Sequence, residues 1–271
     1  ILDRLKHETF DCIYHIAGQS SGEISFDDPV YDLQTNTQST LQLLQLCRAT
    51  GCKKLIYASS MSVYGQVADQ AIAENHSTIP ESFYGIGKVA SEHYLRVYRS
   101  FGIATCSLRL WNTYGPGQNL ENLRQGMVSI FLAQALKDKK IHVKGSPERF
   151  RDFVYIDDIV EGVLRTLDCV ARPNPEWNPA EPDPGSSNAP YRIYNIGNSK
   201  PVELMDYISV IEACLGKKAV KNLLPMQPGD VPDTYADVSD LISDFDYKPD
   251  TILEIGVRNF VEWYKNFYRK T

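Results

Sequence analysis

Leu55-Ile-Tyr-Ala-Ser-Ser-Met-Ser-Val-Tyr-Gly65 is a short apolar run that breaks off in a cluster of hydroxyls. A run of this length, bounded by polar residues and glycine, reads as a buried strand with a polar exit. Outward from it lie three similar runs, giving expected strands at Cys12–Ala17, Lys54–Ala58, Thr105–Leu110 and Arg192–Ile196. Amphipathic stretches of helical length separate them: Thr37–Ala49, Tyr84–Phe101 and Asp157–Val170. Alternating strand and helix predicts an α/β fold, a doubly wound parallel sheet, in which ligands sit at the carboxyl ends of the strands. Ser59, Ser60 and Ser62 leave the strand at that edge.

From Asn119 the pattern changes. Helical segments at Arg124–Lys139, Pro201–Leu215 and Leu253–Tyr268 are separated by Pro/Gly-rich loops, and Arg172–Pro190, with six prolines, is expected to be an exposed loop. The expected division is a dinucleotide-type domain over 1–115 and 150–198 and a smaller substrate domain over 116–149 and 199–271. A complete dinucleotide fold opens with a strand, a glycine-rich turn and a helix whose N-terminus holds a pyrophosphate. Here Ile1–Glu8 already reads as a helix, and neither GxGxxG nor GxxGxxG occurs. The expectation is an N-terminally incomplete Rossmann-like sheet that binds its cofactor weakly.

Composition narrows the function classes. The chain has 271 residues, of which 43 % are apolar and 23 % charged, ordinary proportions for a globular enzyme. A net charge of −6 disfavours a nucleic-acid reader that works by neutralising phosphates. No apolar run approaches the roughly 20 residues of a membrane span, so no membrane partner is expected. The six cysteines are scattered, without CxxC spacing, and read as reduced thiols of a cytoplasmic protein; the five histidines show no ligand spacing, so no metal is expected.

The sharpest chemical signal is Tyr84-Gly-Ile-Gly-Lys88 at the head of a helical stretch. Residues four apart share one helix face. A phenol becomes a usable base when a nearby ammonium favours phenolate, so Lys88 is expected to lower the Tyr84 pKa. A bare YxxxK is also what a surface pair on an amphipathic helix looks like; the strand-end hydroxyls some 24 residues upstream favour the chemical reading.

In order, the SSxSVYG strand end, YxxxK, Leu108-Arg-Leu-Trp-Asn-Thr-Tyr-Gly-Pro116 and Arg151-Asp-Phe-Val-Tyr-Ile-Asp-Asp158 resemble the extended short-chain dehydrogenase/reductases that act on nucleotide sugars, across Asp11 to Tyr268. The resemblance implies NAD as cofactor, Tyr84 as acid/base, Lys88 on the nicotinamide ribose and Ser60 on the sugar hydroxyl. It places Ala17, Gly18, Gln19, Asn36 and Ser59 against the cofactor. It also places Ser62, Asn112, Arg151, Gln227 and Asp230 against the substrate, with Asn112 and Arg151 at the phosphates and Gln227 and Asp230 at the ribose. The helices Thr37–Ala49 and Tyr84–Phe101 resemble the pair that forms a dimeric four-helix bundle, implying a homodimer.

The segments Ala189-Pro-Tyr-Arg-Ile-Tyr-Asn-Ile-Gly-Asn198 and Leu224-Pro-Met-Gln-Pro-Gly-Asp-Val-Pro232 resemble UDP-glucuronate 4-epimerases. Arg124-Gln-Gly-Met127 stands where that subfamily has Arg-Pro-Asp-Met, which keeps UDP-glucose or UDP-N-acetylglucosamine open as substrate. A non-catalytic nucleotide-sugar binder is the reading from a different class. Family dehydratases and decarboxylases place carboxyls just before VYG; Met61 and Ser62 stand there, which leaves simple 4-epimerisation of a UDP-sugar as the expected reaction.

Overall fold

The computed structural model describes residues 2–67, 70–122, 124, 126–137, 139–168, 171–226 and 230–268. In chain order the first half runs α1 (Leu2–Leu5), β1 (Ile13–His15), α2 (Gly22–Asp27), α3 (Pro29–Asp32), a π-helix (Leu33–Gln38), α4 (Ser39–Thr50), β2 (Lys54–Ser60), α5 (Phe83–Tyr98), β3 (Ala104–Leu110) and β4 (Asn112–Tyr114). The second half runs α6 (Met127–Leu136), β5 (Ile141–Lys144), β6 (Phe150–Arg151), β7 (Phe153–Tyr155), α7 (Ile156–Asp168), β8 (Tyr191–Ile196), β9 (Val202–Glu203), α8 (Leu204–Leu215), β10 (Lys221–Leu224), α9 (Ser239–Phe245) and α10 (Leu253–Phe267).

The four expected strands form one parallel sheet in the order β1-β2-β3-β8. Its register aligns Ile13 with Leu55, Leu55 with Thr105 and Thr105 with Tyr191. All four strands therefore end on one edge. Side chains alternate across a strand, and the two faces bury different partners. Leu55 and Tyr57 face Leu44 and Leu95 of α4 and α5. Ile56 and Leu108 face Ile159 of α7, with Ala236 and Leu241. This is the doubly wound α/β arrangement read from the sequence.

A third apolar cluster lies off the carboxyl edge. Phe131 and Leu132 of α6, Tyr207 and Ile208 of α8, and Phe260 and Tyr264 of α10 pack together with Ile141, Val143 and Phe153. Each such buried side chain contributes roughly 1.5–3 kcal/mol relative to exposure. Three two-stranded ribbons stitch this cluster to the sheet: β4 with β7 and β5 with β10, both parallel, and β6 antiparallel to β9. The ribbons are too short to have shown a period in the sequence.

Several bounds differ from expectation: α1 and β1 are shorter than the Ile1–Glu8 helix and Cys12–Ala17 strand read from the sequence, and α4 begins at Ser39 rather than Thr37. The helix expected from Arg124 starts at Met127, because Gly126 sits at φ +77° and closes the preceding turn. The helix expected from Pro201 starts at Leu204, because Val202–Glu203 pairs with Phe150–Arg151 first. Arg172–Pro190 carries no helix or named strand among its described residues. It is not uniformly exposed, however: Ser186 and Ser187 are fully buried, fixed by Asn174 and Asp183.

Candidate active site

A cleft of about 390 Å³ opens at the carboxyl edge of the sheet, lined by Gly18, Gln19, Ser59, Ser60, Ser62, Tyr84, Lys88, Asn112 and Asp230. A second lobe of about 400 Å³ shares Glu23, Asn112, Arg124, Gly126, Met127 and Asp230 with it and adds Lys144, Arg149 and Arg151. The two lobes are one branched cavity between the sheet and the third cluster.

Tyr84 is placed by the start of α5. Ser82 adopts an extended backbone and accepts from the Gly85 N–H, capping the helix so that Tyr84 falls in its first turn. Gly85 and Gly87 let α5 come unusually close. A β-carbon on Gly85 would lie 2.7 Å from the Ser62 carbonyl oxygen, and one on Gly87 would lie 3.1 Å from Thr37 Oγ1. The Tyr-Gly-Ile-Gly-Lys spacing is therefore a packing device as well as a chemical one.

Ser60 ends β2 and caps the following turn, accepting from the Ser62 N–H at 3.2 Å and the Ser62 hydroxyl at 2.8 Å. Tyr84 and Ser60 both line the head of the cleft. Lys88 Nζ donates to the Ala58 carbonyl at 2.8 Å and lies 4.7 Å from the Tyr57 ring and 5.4 Å from the Tyr84 ring.

The titration behaviour differs from the sequence expectation. Burial pushes the Tyr84 phenol up to about 12; the Ser60 hydroxyl opposes this and the Asp32 carboxylate reinforces it. Burial pulls the Lys88 amine down to about 8, against the pull of Asp32 and Glu92. Desolvation of both groups outweighs the mutual help expected from their spacing.

The remaining expected residues divide. Ser59 lines the cleft, but its hydroxyl donates to buried Glu92 at 2.6 Å, and Glu92 is held by both arms of Arg109. Gln19 and Asn36 each give an amide N–H to Asp32, at 2.7 and 3.1 Å. The Asn36 Oδ1 atom is buried without a hydrogen-bond partner and faces Gly18, where a β-carbon would sit only 2.5 Å away. Ile16, Ala17 and Gly18 are exposed at the end of β1, and Ile16 forms part of the cleft floor. An exposed apolar floor beside an unpaired amide oxygen, with Lys88 and Tyr84 opposite, fits the flat ring and ribose of a nicotinamide nucleotide.

Arg151 is almost completely buried. It donates to the carbonyls of Phe150, Pro232 and Val231 and to Asp230, so it shapes the 230–232 segment that walls the second lobe. Asn112 accepts from the Thr234 hydroxyl at 3.0 Å. Gln227 lies outside the described residues. Arg149 was not anticipated. It shares Asp230 with Arg151, and its Nε is buried without a partner. The signal was present only as a second arginine two residues before Arg151, just ahead of β6. Asp32 was also missed, since an acid in a polar stretch reads as solvated surface.

Among the described residues no group of three or more His, Cys, Asp or Glu is placed to hold a metal ion, and no helix is long and apolar enough to cross a membrane. Cys12, Cys47, Cys52 and Cys214 are free thiols; Cys169 lies outside the described residues.

Comparison with known proteins agrees with this geometry. The family model described as "NAD dependent epimerase/dehydratase family" matches residues 1–197. Protein CapI of Staphylococcus aureus is 39 % identical over 263 residues, 96 % of this chain and 77 % of its own length. A probable UDP-glucuronate 4-epimerase of Rhizobium meliloti is 33 % identical, over 96 % of this chain and 76 % of its own length. The crystal structure of UDP-glucuronic acid 4-epimerase from Bacillus cereus, in complex with UDP-glucuronic acid and NAD, superposes with a TM-score of 0.83 at 30 % identity, covering 98 % of this chain and 79 % of that one.

Proposed function

Because the chain belongs to the NAD dependent epimerase/dehydratase family, we propose that it interconverts the C4 epimers of a UDP-sugar and that UDP-glucuronate is its favoured substrate. The observation that carries this reading is the set at the head of the cleft. Tyr84 and Ser60 line the cleft together, Lys88 is one helical turn from Tyr84, and the Met61–Val63 turn supplies no carboxyl group. A strand end with one acid/base and no carboxyl in the turn that follows it suits removal and return of one proton. The Ile16–Gly18 floor with Asn36 would hold NAD, which would supply a reversible hydride acceptor for the sugar C4. Tyr84 takes the proton of the C4 hydroxyl and later returns it. Ser60 holds the phenol in line, and the buried setting excludes water from the reacting carbon. Lys88 lends positive charge when the phenol ionises.

In the second lobe, Asn112 and Arg149 serve the diphosphate and Asp230 borders the ribose, while Arg151, whose terminal N–H groups are spent on Asp230 and on the carbonyls of Phe150, Val231 and Pro232, holds that wall in place. Arg149 and Arg151 share the Asp230 carboxylate, and Arg124 and Lys144 line the same lobe, a cationic lining suited to an anion. The same division of labour supports a two-part organisation, with the sheet (1–115 and 150–198) holding the cofactor and the third cluster (116–149 and 199–271) holding the nucleotide. The favoured sugar rests on the relatives named above. The homodimer reading rests on α5, where Phe83, Ile86, Tyr94 and Val97 form one exposed apolar stripe at helical spacing. The unpaired thiols suit the reducing cytoplasm.

The experiment supplies UDP-glucuronate, UDP-glucose and UDP-N-acetylglucosamine in turn with NAD and reads the C4 configuration by NMR. Turnover of the uronate with the highest kcat/KM is expected. Turnover of the neutral sugars alone discards the substrate and keeps the mechanism; binding without turnover of any of them discards the mechanism.

A further inference from the structure

Glu23 stands in the first turn of α2 and lines both lobes of the cavity. Its partly buried carboxylate reaches across to the opposite wall. One oxygen accepts from Arg124 Nε at 3.2 Å, and the other accepts from Lys144 Nζ, at the end of β5, also at 3.2 Å. The backbone beside it is pinned to the same wall: the Ser21 hydroxyl, which caps α2, donates to the Arg124 carbonyl at 2.7 Å. Arg124 also pairs with Asp27 at 2.6 Å, but the Asp27 side chain is 60 % exposed and lines neither lobe.

The place of Glu23 matters because of what passes it. With the sugar C4 at Tyr84 in the first lobe and the diphosphate at Arg149 in the second, the sugar ring spans the junction of the two. Glu23 and Arg124 belong to that junction, since both lobes share them. A neutral sugar brings hydroxyls there, which can donate to a carboxylate or accept from a guanidinium. An acidic sugar brings a carboxylate two carbons from C4. That group is drawn to Arg124 and Lys144 and repelled by Glu23. Glu23 thus opposes the acid in two ways, by engaging the cations and by its own charge, and the two effects have the same sign.

We propose that Glu23 is a specificity-determining residue of the sugar pocket: its carboxylate engages the cations that a sugar carboxylate would use, and so limits the preference for an acidic over a neutral sugar. The proposal deepens the functional reading and rests on its placing of the sugar, but its test reads binding rather than turnover.

The experiment measures the affinities of UDP-glucuronate and UDP-glucose by calorimetry, with NAD in excess and at low ionic strength, and takes their ratio. Glu23→Gln keeps the shape and removes the charge, so the ratio should shift about tenfold toward the uronate, and the shift should shrink in high salt. Glu23→Asp keeps the charge and should stay close to the parent. Asp27→Asn frees Arg124 from outside the cavity and should move the ratio less. An unchanged ratio in Glu23→Gln overturns the proposal. An equal shift in Asp27→Asn overturns it too, because loosening of Arg124 would then suffice. If Glu23→Gln does not fold, Arg124→Gln decides: the ratio should shift toward the neutral sugar, and an unmoved ratio overturns the proposal. Failure of parent and variants alike to bind either sugar overturns both the proposal and the functional reading. A ratio that shifts as expected in a protein that epimerises neither sugar supports the role of Glu23 and rejects the functional reading.

Discussion

At the scale of single residues, burial rather than sequence spacing sets the charges. Tyr84 and Lys88 were legible because YxxxK follows a hydroxyl-rich strand end, yet the direction of the Tyr84 shift was not. The spacing shows that the pair shares a helix face; it does not show that both groups lose water. Asp32 and Glu74 were illegible for the same reason. Both are acids in polar stretches that long-range folding then covers. Glu74 is buried and accepts from the Asn195 N–H at 2.7 Å, and burial pushes its carboxyl up to about 7. The sign of the linkage follows. A carboxyl whose folded pKa lies above its unfolded value holds more protons in the folded state, so stability falls as pH rises from about 4.5 to about 7. Thermal unfolding of Glu74→Gln should show a smaller loss of Tm between pH 5 and pH 7.5 than the parent. Equal losses would mean that Glu74 does not titrate as its burial implies.

At the scale of elements, the sequence resolved what has a period and missed what does not. Lys54–Ser60 and Ala104–Leu110 appear nearly as expected, since apolar runs flanked by glycine and polar residues have few other folds. The ribbons of two to four residues and the π-helix at Leu33–Gln38 carry no such signal. The π-helix brings Asn36 and Thr37 to face α5, and Thr37 Oγ1 donates to the Gly87 carbonyl at 3.1 Å. The glycines of α5 make a sharp prediction here. In an ordinary helix Gly→Ala gains up to about 1 kcal/mol. At Gly85 the added carbon would press on the Ser62 carbonyl oxygen and on Pro80, at 2.7 and 2.8 Å. Overpacking of this kind costs about 1–3 kcal/mol, so it outweighs the propensity gain. Gly85→Ala should lower Tm and displace the Ser60–Ser62 turn; a raised Tm would show that α5 does not sit this close to the strand end.

At the scale of the whole molecule, the sheet and the third apolar cluster meet along one cavity, and both sides of it are needed for a reaction that must bind two nucleotides at once. The fold and the placing of Ser60, Tyr84 and Lys88 at one cleft were readable because each strand ends at the same edge; the second lobe was only partly readable, because Arg149, Lys144 and Glu23 come together from separate elements. The exposed stripe on α5 predicts that the protein sediments as a dimer and that Ile86→Glu with Val97→Glu gives a folded monomer. A monomeric parent would reject that surface as an interface. The central claim is that Tyr84 exchanges the proton of the sugar C4 hydroxyl, and general-base help of this kind is typically worth about 10²–10⁴ in rate. Its most direct test follows UDP-glucuronate by NMR with NAD present, comparing the parent protein with Tyr84→Phe. The account predicts that the C4 epimer forms with the parent and that the rate falls at least about a hundredfold in the variant while UDP affinity is kept. Equal rates for parent and variant would contradict it.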